Sequence, residues 1–101
     1  MKAEFKANLW VNGLPVDLNP FVEEFLARTV IGAVSSLKGA EDIQSLELYL
    51  ERGEVRIIVD GNELSLTPFP SDIIASTVTG LVSSLKGIDK VKSLRVDVRA
   101  L

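Results

Sequence analysis

The residue types that carry most enzyme chemistry are missing from this sequence of 101 residues. It contains no histidine and no cysteine, which excludes imidazole general bases, thiolate nucleophiles, disulfides and Cys/His zinc sites. The string Ser-x-x-Lys occurs at 35–38 and at 83–86, and some acyl-transfer enzymes use such a serine and lysine as nucleophile and base. There the serine opens a helix and companion motifs follow, whereas here the string closes a predicted helix. We therefore predict a non-enzymatic protein without catalytic residues.

Acidic pairs and single glycines do not indicate a metal or nucleotide site. The acidic pairs are Glu23/Glu24, Glu41/Asp42 and Asp60/Glu63. None has the spacing of a calcium loop, and no glycine-rich phosphate motif is present. We expect these carboxylates to be solvated in caps and turns, and we predict no metal and no cofactor.

Aromatic and arginine side chains are the residues best suited to binding, because strand alternation places several of them on one face of a sheet. The candidates for contact with a partner are Trp10, Tyr49, Arg56, Ile58, Arg95 and Arg99. Exposed Trp and Tyr are preferred anchors of protein interfaces. The net charge of −3 opposes a polyanionic partner. We predict a protein-interaction or assembly module, with small-molecule or single-stranded nucleic-acid binding through the same face as the alternative.

These candidates lie in an internal repeat. A shift of 48 positions superposes residues 9–50 on residues 57–98 without a gap, and 17 of the 42 aligned residues are identical. Chance would leave about three identities. Because two copies are too few for a solenoid, we predict one domain over residues 1–101 with pseudo-two-fold symmetry. The first repeat covers about 3–51 and the second about 53–99.

Each repeat is predicted to fold as strand, tight turn, strand, helix, strand. Apolar and polar residues alternate in the strands, and Asn12-Gly13 and Asp60-Gly61 tolerate the positive φ angles of a hairpin turn. Pro15 cannot donate to a strand ladder, which places its strand at a sheet edge. Arg52-Gly53 is predicted to join the two repeats by another hairpin.

The two helices are marked at both ends. Asn19 and Thr67 precede a proline and are predicted N-caps, although Pro70-Ser71-Asp72 offers a later start for the second helix. Gly39 and Gly87 are predicted to stop the helices in the same register.

The predicted fold class is α+β, in two layers. A mainly antiparallel sheet of about six strands is covered on one face by both helices. We expect the third and fourth strands to pair, while the last strand returns to pair with the first and interlocks the halves.

A stripe of small residues runs along each predicted helix, flanked by Phe21, Phe25, Phe69 and Ile73. Its members are Thr29, Gly32, Ser36, Thr77, Gly80 and Ser84. A mid-helix glycine costs about 1 kcal/mol relative to alanine, so a compensating contact is expected. We predict that the helices cross closely at Gly32 and Gly80, where a larger side chain would overpack. Contact of the stripes with a second copy of the chain, in a homodimer, is the alternative.

No targeting or membrane segment is predicted. Glu4 and Lys6 interrupt the N terminus before an apolar stretch of signal-peptide length forms, and charged residues break the apolar segment 21–37. We expect a cytoplasmic protein that has a protein partner or self-associates and does not bind a membrane, with nucleic acid as the less favoured partner.

Overall fold

The computed structural model describes residues 5–38, 42–66, 68–85, 88 and 90–101, and it is an α+β fold. The elements in chain order are β1 (Phe5–Val11), β2 (Leu14–Val16), α1 (Pro20–Lys38), β3 (Ser45–Glu51), β4 (Glu54–Val59), β5 (Asn62–Leu64), α2 (Pro68–Ser83) and β6 (Ser93–Ala100). The predicted cap Thr67 and the predicted stops Gly39 and Gly87 lie outside the described residues.

All six strands belong to one antiparallel sheet in the order β2-β1-β6-β3-β4-β5. The predicted pairing of β3 with β4 is confirmed, as is the return of β6 to β1. In addition, β6 pairs with β3 along its length, with Leu48 opposite Val96. The last strand therefore lies at the centre of the sheet, between two strands of the first half of the chain.

Both edges of the sheet are short strands. β2 and β5 have three residues each, and Pro15 lies in β2 as predicted for an edge. Beyond the end of β2, the N–H of Ala7 on β1 donates to Glu23 Oε2 of α1 at 2.9 Å. Short edge strands and a side chain bound to a free edge amide discourage pairing with another chain.

One core fills the space between the sheet and the helices. The buried strand residues all point to the same face, as in the neighbours Leu9, Val96 and Leu48. The helices contribute Leu26, Ala27, Val30 and Val34 from α1 and Ile74, Val78 and Val82 from α2. Every buried side chain among the described residues is apolar, so burial of these residues is the main term that stabilises the layers.

The start of α1 agrees with the sequence prediction, whereas the end of α2 does not. Asn19 caps α1 as predicted, because its Oδ1 accepts the N–H of Val22 at 2.8 Å. α2 ends at Ser83, before the predicted stop at Gly87. There, the N–H of Ser84 donates to the carbonyl of Leu81, three residues back, at 3.1 Å, which ends the α-helical bonding.

The hairpin residues Asn12 and Asp60 do more than turn the chain. Both have the predicted positive φ, at 52° and 49°. Asn12 Oδ1 accepts the N–H groups of Lys92 and Ser93, at the start of β6, at 2.7 and 3.0 Å. Asp60 Oδ1 accepts two N–H groups at the start of β3, both at 2.9 Å. Each of these side chains therefore bonds its hairpin turn to the central strand that pairs with the first strand of that hairpin.

Asp60→Ala should lower the free energy of unfolding by about 2 kcal/mol, because two hydrogen bonds to a charged acceptor are lost and alanine disfavours a positive φ. Asp60→Asn should cost much less, since asparagine makes the same pair of bonds at position 12. Urea denaturation compares the two variants. Equal destabilisation by Ala and Asn would show that the side-chain oxygen does not fasten the turn.

Candidate functional site

Strand register brings four of the six predicted partner-contact residues into one row on the sheet face opposite the helices. Trp10 lies opposite Arg95, Arg95 opposite Tyr49, and Tyr49 opposite Arg56. We call these four residues the aromatic–arginine row. It crosses β1, β6, β3 and β4, so residues from both halves of the chain alternate along it.

Cation–π contacts hold the row together. The Arg95 guanidinium carbon lies 4.8 Å from the centroid of the Trp10 ring and 5.2 Å from that of Tyr49. Arg56 lies 6.0 Å from the Tyr49 centroid. These separations fall within the range of favourable cation–π attraction. Trp10 and Tyr49 are not adjacent in the row. Arg95 lies between them and contacts both rings.

Carboxylates in the adjacent row neutralise the two arginines. Arg95 donates two hydrogen bonds to Asp97, both at 3.0 Å, and Arg56 donates two to Glu63, both at 3.2 Å. The hydrogen bond to Asp97 raises the pKa of Arg95. Likewise, the hydrogen bond from Arg56 lowers the pKa of Glu63, and the same contact raises the pKa of Arg56. Both guanidinium groups are thus engaged within the face.

The Tyr49 hydroxyl is also committed within the face. It donates to Glu47 Oε1 at 2.5 Å, and this hydrogen bond raises the pKa of Tyr49 above its usual value. Because its ring contacts Arg95 and its hydroxyl contacts Glu47, the side chain is fixed at both ends.

The remaining two predicted residues lie outside the row. Ile58 is opposite Glu47 in the adjacent row, and Arg99 is opposite Lys6 and Ser45 at the far end of β6. An open depression lies beside the row, between Trp10 and Tyr49. Within the described ranges, no three acidic side chains converge as a metal site requires.

The predicted helix crossing at the glycines is wrong. Gly32 and Gly80 are exposed, and a Cβ added to either would meet nothing within 4 Å. The hydroxyl of Ser84 bonds to the carbonyl of Gly80 within its own segment, at 3.0 Å, rather than across a seam. The physical reason is the way the helices pack on the sheet: α1 lies chiefly on β1 and α2 on β4, and both glycines are on the side of their helix that faces solvent.

Other members of the two stripes are also accessible. Thr29 is half-buried, whereas Ser36 and Thr77 are exposed. These residues therefore form part of an outward surface, and none of them lies in a closed interior.

Large apolar side chains share this outward surface. Phe21 and Phe25 are 75% and 50% exposed and stack with their ring centroids 6.1 Å apart, and Ile73 is 43% exposed. The sequence reasoning placed these residues beside a helix seam and missed their exposure. Their spacing, one helical turn from the small stripe, was the available signal. The side chain of Phe69, the fourth predicted flank, lies outside the described residues.

Compared with models of protein families, with curated proteins and with solved structures, the chain has no significant match in any of the three. Among the described residues, neither helix is long and apolar enough to cross a membrane.

Titration of Tyr49 should have a midpoint above the ordinary value of 10.0. The raised pKa contributes stability that is fully present below the unfolded-state pKa and is lost as pH rises through the folded-state pKa. Tyr49 is the one tyrosine in the chain, so tyrosinate absorbance reports it alone. Glu47→Ala should lower the midpoint, and the control Glu54→Ala should not. A midpoint at or below the ordinary value in the folded chain would contradict the hydrogen bond to Glu47.

Gly32→Ala and Gly80→Ala should each raise the free energy of unfolding by about 1 kcal/mol, because alanine is the better helix former and meets no neighbour. Gly13→Ala is a matched control that should be destabilising, since Gly13 has a φ of +83°. Urea denaturation of dilute protein measures all three. If the two helix substitutions instead lowered the free energy of unfolding, the prediction that the helices cross closely at these glycines would be supported.

Proposed function

We propose that this chain is a protein-interaction module that binds a folded protein partner through the aromatic–arginine row. The observation that carries the proposal is the Arg95 guanidinium, which lies against both Trp10 and Tyr49 while it is bonded to Asp97. Trp, Tyr and Arg are the residue types that contribute most to binding at protein interfaces.

Rigidity of the row favours binding. Side chains that are already ordered lose little conformational entropy on contact with a partner. Three strand spacings separate β1 from β4, so the row extends over about 14 Å. A flat partner surface of that width, with an apolar centre and polar groups at its border, fits an aromatic row bordered by neutralised charges.

Nucleic-acid binding is the second candidate, and the charges of the face disfavour it. Arg95 and Arg56 are paired with carboxylates, and the chain has a net charge of −3. A strand of phosphates would have to displace those carboxylates before it gained a cation.

We also infer that the two halves of the domain, about 3–51 and about 53–99, are copies of one ββαβ unit related by pseudo-two-fold symmetry. Exchange of β1, β2 and β3 with β4, β5 and β6 reproduces the same strand order in reverse, which supports this inference. Leu48 and Val96 are 48 positions apart and pair with each other at the centre of the sheet. The matching side-chain bonds of Asn12 and Asp60 support it as well.

The aromatic–arginine row then occupies positions where the copies differ. Trp10 corresponds to Ile58, and Arg95 corresponds to Glu47, when the chain is shifted by 48 positions. A binding surface that formed after duplication would have this property, because only one copy of each position was needed for contact.

The double substitution Trp10→Ala/Tyr49→Ala should abolish capture of the partner, because both aromatic anchors are lost while the core is unchanged. Affinity capture from cells followed by mass spectrometry compares this variant with the original chain and with the exposed control Asp17→Asn. The partner found is then titrated in purified form, and calorimetry compares its affinity for the double variant with its affinity for the original chain.

Two results would contradict the proposed function. One is a set of captured proteins that is the same for the double variant and the original chain. The other is quenching of Trp10 by a single-stranded oligonucleotide that is reversed by salt, which would assign the face to nucleic acid.

A further inference from the structure

The outward side of the helical layer carries little charge. We define the outer helix face as Phe21, Phe25, Arg28, Gly32 and Ser36 of α1, and Ile73, Ser76, Thr77, Gly80 and Ser84 at or just after α2, all of which are exposed. No charged residue occurs from Ile73 to Leu85. Arg28, the one charged member of this set, is paired with Glu24 on its own helix. A surface helix in contact with water normally carries charged residues on that side.

From this surface we infer that the outer helix face binds a second copy of the same chain, so that the protein is a two-fold homodimer with its helical layers in contact.

Charge favours a second copy over a membrane. Helices that lie on a membrane surface carry lysine and arginine on their polar flank, and the net charge of −3 disfavours anionic lipid. Two copies of an acidic chain also repel one another unless they meet where carboxylates are scarce. The span from Ile73 to Leu85 meets that condition because it has no charge.

The face is suited to contact with itself. A two-fold interface is formed by one surface on both subunits, so that surface needs both protruding side chains and shallow positions that receive them. Phe21 and Phe25 protrude from the N-terminal half of α1, whereas Gly32 and Ser36 leave its C-terminal half shallow. The aromatic residues of one copy therefore have a shallow surface on the other copy to pack against.

The available area is at the low end of what a dimer buries, which fits weak and reversible association. Helices of 19 and 16 residues are about 28 and 24 Å long and about 10 Å wide, which gives roughly 500 Å² in projection. The accessible surface of protruding side chains exceeds the projection. Standard interfaces bury about 800 Å² on each partner. The Cα trace measures 35 × 34 × 18 Å, so layers stacked on the broad face make a compact pair.

A consequence concerns the aromatic–arginine row. Helix-to-helix contact directs the two sheet faces away from each other, so the dimer presents two rows on opposite sides. Contact with partner molecules would then be bivalent, and the apparent affinity for a multivalent partner would exceed that of one row.

The test is the mass of the full chain by light scattering and sedimentation equilibrium over micromolar to submillimolar concentrations. We expect a reversible change from 11.0 kDa to twice that mass. Phe25→Asp/Ile73→Asp should raise the dimer dissociation constant at least about 100-fold, because unpaired carboxylates would be buried. Leu14→Asp is the matched control, since Leu14 is 69% exposed but lies on the edge strand β2, and it should leave the dimer intact.

A second variant keeps the test valid if the aspartates disturb folding. Gly32→Leu/Gly80→Leu adds side chains at exposed positions where a Cβ meets nothing within 4 Å, so circular dichroism should be unchanged while dimerisation is lost. Trp10→Ala/Tyr49→Ala should retain the dimer, which separates this inference from the proposed function of the sheet face.

Three outcomes would overturn the inference. The first is a monomer at every concentration, and the second is a dimer that survives both helix-face variants. The third is binding of the monomer to vesicles of zwitterionic phospholipid that is lost in both variants, which would assign the face to a lipid surface.

Discussion

The pairing of β6 with both β1 and β3 is the interaction on which the rest of the structure depends. Because the last strand enters the sheet between two strands from the first half, neither half keeps a separate sheet. The same insertion continues the core across the molecule through Leu9, Val96 and Leu48. It also places Arg95 between Trp10 and Tyr49. The central place of β6 in the sheet therefore contributes both to the stability of the domain and to the aromatic–arginine row.

The sheet face and the outer helix face differ in their charged residues. On the sheet face, the cations are neutralised by neighbouring carboxylates, as Arg95 is by Asp97, and the aromatic rings are held by the same arginine. The outer helix face has few charged residues, and exposed rings such as Phe25 lie beside small side chains. The first arrangement is ordered before any partner binds, whereas the second remains exposed apolar surface until a partner covers it. This contrast is the reason for the assignment of different roles to the two faces.

Local signals predicted the elements well. Alternation predicted the strands, Asn12-Gly13 and Asp60-Gly61 predicted the turns, and Asn19 predicted the start of α1, because each depends on the φ angle or the hydrogen bonds of a few neighbouring residues. The end of α2 was less predictable. The N–H of Ser84 donates to a carbonyl three residues back, and no residue type at that position requires this change.

The sequence by itself determined that the chain has one α+β core, that it lacks imidazole and thiol chemistry, and which residues lie on the outer sheet face, since side-chain direction follows from a two-residue period. Only the tertiary structure decided that β6 pairs with β3, that Trp10, Arg95, Tyr49 and Arg56 share one row, and that Gly32 faces open space. Strand order, register and the separation of two helices depend on contacts between residues far apart in the chain. A local pattern limits the choices among such contacts but does not select one.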